Sequence, residues 1–98
     1  MTTLTPHFSL EELTATGTGL QNDPPVSVAG NLLRLAELLE QIRERLGDHP
    51  IRVNSGYRSE RVNRAVGGAR NSAHREGRAA DIVPFSPVGV HGAFEVIR

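Results

Sequence analysis

One stretch of this 98-residue chain is long and periodic enough to organise a core. From Ser27 to Leu46 the apolar residues Leu32, Leu35, Leu39, Ile42 and Leu46 recur at spacings of three and four, with Leu38 beside them, and Gly47 stands ready to end the run. That pattern predicts one long amphipathic helix, which needs an apolar surface to lie against. Two short segments can supply it. Ile51-Arg52-Val53-Asn54-Ser55 alternates apolar and polar residues as a strand does, with Ile51 and Val53 inward, and Ala79-Ala80-Asp81-Ile82-Val83 reads as a buried strand ending at Pro84. So small a chain makes a single domain spanning 1–98 and leaves no room for a second.

Shorter elements frame this core. Ser9 as N-cap, Glu12 three residues on, and Phe8 with Leu13 as a hydrophobic staple predict a short helix stopped near Gly17. Ser59 caps another through Val62 and Val66 that ends at Gly67-Gly68. A polar loop then runs from Ala69 to Arg78. At the end, Ser86-Pro87 looks like an N-cap followed by proline at the first helical position. A final helix is expected there, with Val90, Phe94 and Ile97 on its apolar side and His91, Glu95 and Arg98 on its polar side.

Composition excludes several chemistries. The chain has no cysteine, so disulfides and thiolate metal sites are ruled out, and any metal must be held by His, Asp or Glu. No segment approaches the roughly 20 apolar residues of a membrane span, and the opening residues lack the basic patch and apolar run of a secretory signal. All eleven cations are arginine and balance eleven acids. Six of the arginines fall between Arg58 and Arg78, a stretch able to meet phosphates. With Tyr57 the sole aromatic near it and no reading helix, nucleic acid is not the expected partner.

The segment that carries chemistry is Ser72-Ala73-His74-Arg75-Glu76-Gly77-Arg78-Ala79-Ala80-Asp81. A carboxylate amid small apolar residues on a strand needs compensation by a cation, a metal or several donors. Asp81 can find it in Arg58 or Arg78. Alternatively, the chain turns back at Gly77 and brings His74 to the same point, where imidazole and carboxylate together are ordinary zinc ligands.

These residues resemble the zinc D-alanyl-D-alanine carboxypeptidase family, which includes phage L-alanyl-D-glutamate endopeptidases and has the hedgehog/DD-peptidase fold. Ser72, His74 and Asp81 match its Ser, any residue, His, six residues, Asp pattern, with Gly77 and Ala79 in place. Ser55-Gly56-Tyr57-Arg58-Ser59 matches its strand-to-turn segment, continued by Asn63, Val66, Gly67 and Gly68. Phe8 to Leu13 and Asn31-Leu32 are similar to the entry of its short members.

The resemblance implies a small α+β domain, an antiparallel sheet with flanking helices. It also implies Zn2+ held by His74 and Asp81, Arg58 as the catalytic group that stabilises the oxyanion and contacts substrate, and Ser72 as a substrate-binding residue. The implied substrate is a peptidoglycan stem peptide, met at the cell wall by a protein made in the cytoplasm and either phage-encoded or exported by another route. The family's third ligand, a His, and its general base, a Glu, are expected on a later strand, so the C-terminal part of the domain is expected to be missing. A non-catalytic peptidoglycan-binding module with the same fold is the alternative. His7 and His49 read as loop residues, His91 as solvated, and Glu76 as an exposed loop residue.

Overall fold

A computed structural model describes residues 2–86, 89–90 and 92–98. The chain opens with a small hairpin, β1 (Thr3–Thr5) and β2 (Phe8–Ser9), that sequence reading passes over because its strands are too short to show alternation. The staple residue Phe8 is buried there, and Ser9 caps α1 (Leu10–Thr14) by accepting a hydrogen bond at Oγ from the backbone N–H of Glu12, 3.1 Å away. After a proline-rich crossing comes α2 (Val26–Arg45). Its buried stripe is Leu32, Leu35, Ala36 and Leu39, while Ile42 is partly covered and Leu46, just past the helix, is half exposed. Each fully buried leucine on this stripe contributes roughly 1.5–3 kcal/mol by removal from water.

The stripe packs on an antiparallel sheet whose centre is β4 (Ala79–Ser86). On one side β4 pairs with β3 (Ile51–Ser55), in the register Val53↔Ile82 and Ser55↔Asp81, with an irregularity between these two positions. On the other it pairs with β5 (Gly89–Val90) and β6 (Phe94–Ile97). Strand geometry sends successive side chains to opposite faces. Ala80 and Ile82 therefore enter the core beneath α2, and Asp81 between them faces away from it. The sheet continues through Pro84, further than the expected end of this strand. Between β3 and β4 lie α3 (Glu60–Ala65), capped by Ser59 as expected, and a single 3-10 turn, Ala73–Glu76, inside what reads as a polar loop.

The expected final helix does not form. Phe94–Ile97 is strand, paired Ala80↔Val96 and Asp81↔Glu95. Phe94, Val96 and Ile97 favour a pleated surface, Gly89 and Gly92 disfavour a helix, and the open edge of β4 offers a ladder of backbone hydrogen bonds that a terminal helix would leave unused. The local proline signal is overridden by this pairing; Pro87 itself lies outside the described residues.

His7 is not a free loop residue. Its Nδ1 lies 2.8 Å from Glu40 Oε1 and its backbone N–H donates to Glu40 Oε2 at 2.7 Å, tying the β1–β2 turn to α2. Burial raises the Glu40 pKa, but the hydrogen bonds from His7 outweigh it and hold the carboxyl below its ordinary value of 4.5. A carboxyl depressed in the folded state stabilises the fold above its unfolded value and loses that contribution as pH falls through the folded value. Acid titration of Glu40→Gln, followed by circular dichroism, is accordingly expected to show a shallower loss of stability below pH 4.5 than the parent chain. Equal slopes would contradict the tether.

Candidate metal centre

The 3-10 turn exists to present one imidazole. Ser72 opens it, accepting at Oγ from the backbone N–H of His74 at 3.2 Å, and Gly77 closes it in the left-handed region at φ 71°. Glycine is required there twice over. Positive φ strains other residues, and a β-carbon would sit 2.6 Å from Val28 Cγ1 on α2. Asn31 on α2 adds a hydrogen bond from Nδ2 to the Glu76 carbonyl at 2.9 Å, so the turn is clamped to the main helix.

From this clamp His74 points inward and is 1 % exposed. Its Nδ1 lies 2.8 Å from the carbonyl oxygen of Gly56, just beyond β3. A carbonyl only accepts, so Nδ1 carries a proton and Nε2 is the nitrogen left for other partners. Gly56 is held against α1, where a β-carbon would meet the Leu13 carbonyl oxygen at 2.3 Å, and the next N–H, of Tyr57, donates to that same oxygen at 2.7 Å. The Arg58 N–H in turn donates to the His74 carbonyl at 2.9 Å. Turn and strand end thus hold each other.

Nε2 faces two carboxylates. Asp81 Oδ2 is 3.6 Å away and Glu95 Oε2, from β6, is 3.1 Å away. One donor atom from each of His74, Asp81 and Glu95 lies within 4.8 Å of the others, and no other trio of such residues does so among the described residues. Two carboxylate oxygens around one imidazole nitrogen attract a cation there, either a proton on Nε2 or a metal ion. The donors, one imidazole and two carboxylates, are of the kinds that zinc accepts. The residues present fit a divalent metal.

Arg58 borders this centre. Its terminal NH2 group donates to Asp81 Oδ2 at 3.3 Å, its Nε to Ser55 Oγ at 3.2 Å and its NH1 to Asn63 Oδ1 at 3.4 Å. Its side chain is 16 % exposed. Asn63 is fixed by donating to the Ala69 carbonyl, and Asn22 anchors the segment around Arg58 from behind. The buried Asn22 amide donates to the carbonyls of Thr14 and Tyr57 and accepts the Ser59 N–H at 2.7 Å. Burial also pushes the Tyr57 hydroxyl pKa above its ordinary 10.0, with Arg75 partly offsetting the rise.

Of the residues singled out in the sequence, His74, Asp81 and Arg58 converge. Ser72 supports the backbone of His74. Arg78 turns away to Glu76 and the Arg98 carbonyl, Glu76 is exposed, His7 is bound to Glu40, and His91 lies outside the described residues. The sequence pattern places Glu95 on the polar side of a helix, and strand pairing brings it beside Asp81 and His74 instead. The signal that could have found it is the alternation Phe94-Glu95-Val96 with β-branched Val96-Ile97. Asn22, read as loop, had no sequence signal beyond its polarity.

Two comparisons bear on this geometry. Residues 6–91 match the family described as Peptidase M15, and the chain belongs to that family. A zinc D-Ala-D-Ala carboxypeptidase from Streptomyces albus G is 52 % identical over 44 residues, which cover 45 % of this chain and 17 % of that relative. The matched stretch is thus about a sixth of the relative's length. No described helix is long and apolar enough to cross a membrane.

Because the turn geometry fixes His74, Gly77→Ala is expected to cost roughly 1–3 kcal/mol of stability. Gly17→Ala, whose added methyl meets open space, is expected to be near neutral. Thermal melts of the two variants check this; equal melting temperatures would contradict the role assigned to Gly77.

Proposed function

We propose that this member of the M15 family is a zinc-dependent peptidase acting on bacterial cell-wall peptides, with His74 and Asp81 as metal ligands. The observation that carries the reading is the buried imidazole whose Nδ1 is committed to the Gly56 carbonyl at 2.8 Å while Nε2 faces Asp81 at 3.6 Å. The name of the Streptomyces relative supports zinc as the metal and a D-alanyl peptide as the substrate type. Bound zinc polarises a scissile carbonyl and acidifies the water that attacks it.

The chain's own groups do the rest. Arg58 has a planar array of five N–H donors, and the three contacts to Ser55, Asn63 and Asp81 fix its plane while leaving N–H groups on both terminal nitrogens to meet the developing oxyanion. Because those contacts already hold it, little reorganisation accompanies the reaction. Ser72 Oγ accepts from His74 N–H and keeps its own hydrogen to donate to a substrate carboxylate. Asp81, 35 % exposed at its side chain, and Glu95, 51 % exposed, leave the centre open toward solvent on the side where an extended peptide approaches. Action at the cell wall follows from the substrate.

The test combines zinc stoichiometry with hydrolysis of purified peptidoglycan and of D-Ala-D-Ala-terminated peptides. One zinc per chain with measurable hydrolysis is expected. His74→Ala is expected to lose both, and Arg58→Ala to keep zinc while losing roughly 10²–10³-fold in turnover, the scale of a lost oxyanion donor. Retention on cell walls without turnover, unchanged in His74→Ala, would instead establish the non-catalytic binding module.

A further inference from the structure

Beside His74 and Asp81 the described residues offer one further carboxylate, that of Glu95. From its position we infer that Glu95 is a metal ligand, completing a His74–Asp81–Glu95 donor set. This inference rests on the metal-site reading above and deepens it.

Three observations converge. First, Glu95 is the direct cross-strand partner of Asp81 in the β4–β6 ladder. Directly opposed residues project from the same face of the sheet at about 4.5–5.5 Å between β-carbons. Two carboxylates held so close repel each other, and the arginine that reaches Asp81 makes no hydrogen bond to Glu95 among the described residues.

Second, the donor atoms lie close enough to share one ion, the Asp81 contact at the ligand-to-ligand spacing of a zinc site and the Glu95 contact slightly inside it. Ligand atoms at about 2.0–2.2 Å from a tetrahedral zinc are separated from one another by about 3.3–3.6 Å. Nε2 lies 3.6 Å from Asp81 Oδ2 and 3.1 Å from Glu95 Oε2. A general base acts one water further out, with no reason to touch the ligating nitrogen itself. Glu95 does touch it.

Third, the His74 ring is 2 % exposed at its side chain and has its other nitrogen satisfied by Gly56. Nε2 is therefore directed at these two oxygens. Two carboxylates and a neutral imidazole neutralise a divalent ion, a harder donor set than two imidazoles and one carboxylate, and one that also accepts Mn2+.

The test is calorimetric titration of the full chain with Zn2+, paired with visible spectra of the Co2+ form. Wild type is expected to take one equivalent. Glu95→Gln should weaken zinc binding by about tenfold or more, and Glu95→His should retain tight binding while shifting the Co2+ bands, as exchange of a coordinated oxygen for nitrogen requires. Glu95 is half exposed, so neither variant threatens the core. If Glu95→Gln binds zinc as tightly as wild type, or Glu95→His leaves the Co2+ spectrum unchanged, Glu95 is not a ligand, even where loss of binding in His74→Ala upholds the metal site. A wild-type chain that takes no zinc overturns both readings together.

Discussion

The hydrogen bond between His74 Nδ1 and the Gly56 carbonyl is the contact on which the proposed chemistry depends. It selects the tautomer, orients the ring and leaves Nε2 as the sole nitrogen able to meet a cation. The surrounding backbone serves it from both ends. Gly56 lies flush against the end of α1 because no β-carbon intervenes, and Gly77 lets the 3-10 turn settle on α2. The hydrophobic packing of α2 on the sheet thereby acts on the site. Leu32, which buries the helix, also lies against the space that a side chain at position 77 would fill.

A second layer of polar contacts holds the cation side. Asn22, 7 % exposed and far from the motif in sequence, holds the Tyr57 and Ser59 backbones, and Asn63 reaches Arg58 from α3. Such buried amides are costly unless every donor and acceptor is used, and here the recorded contacts use both ends of each. Their arrangement keeps one guanidinium beside the Asp81 carboxylate.

Much of this was legible in the sequence. The long helix, β3, the Ser9 and Ser59 caps and the strand bearing Asp81 follow from periodicity and capping, whereas the Ser86 cap does not start a helix; His74, Asp81 and Arg58 stand out through chemistry joined to the family resemblance. The β1–β2 hairpin and the 3-10 turn are too short to show a period, and two further things escaped for physical reasons. Phe94–Ile97 carries a proline signal upstream that is local, whereas its strand state depends on a partner edge supplied by β4, a nonlocal interaction that no window of neighbours contains. Asn22 escaped because a buried hub and a solvated loop residue read alike until the chain closes around them. Both failures concern residues whose role is decided by what packs against them.

The most direct measurement is nitrogen-15 magnetic resonance of the His74 ring with and without 113Cd2+ as a zinc surrogate. The geometry requires a protonated Nδ1 throughout and a scalar coupling between 113Cd and Nε2 once the ion is added. A coupling to Nδ1, or a ring whose two nitrogens do not respond to the ion at all, would contradict the metal centre described.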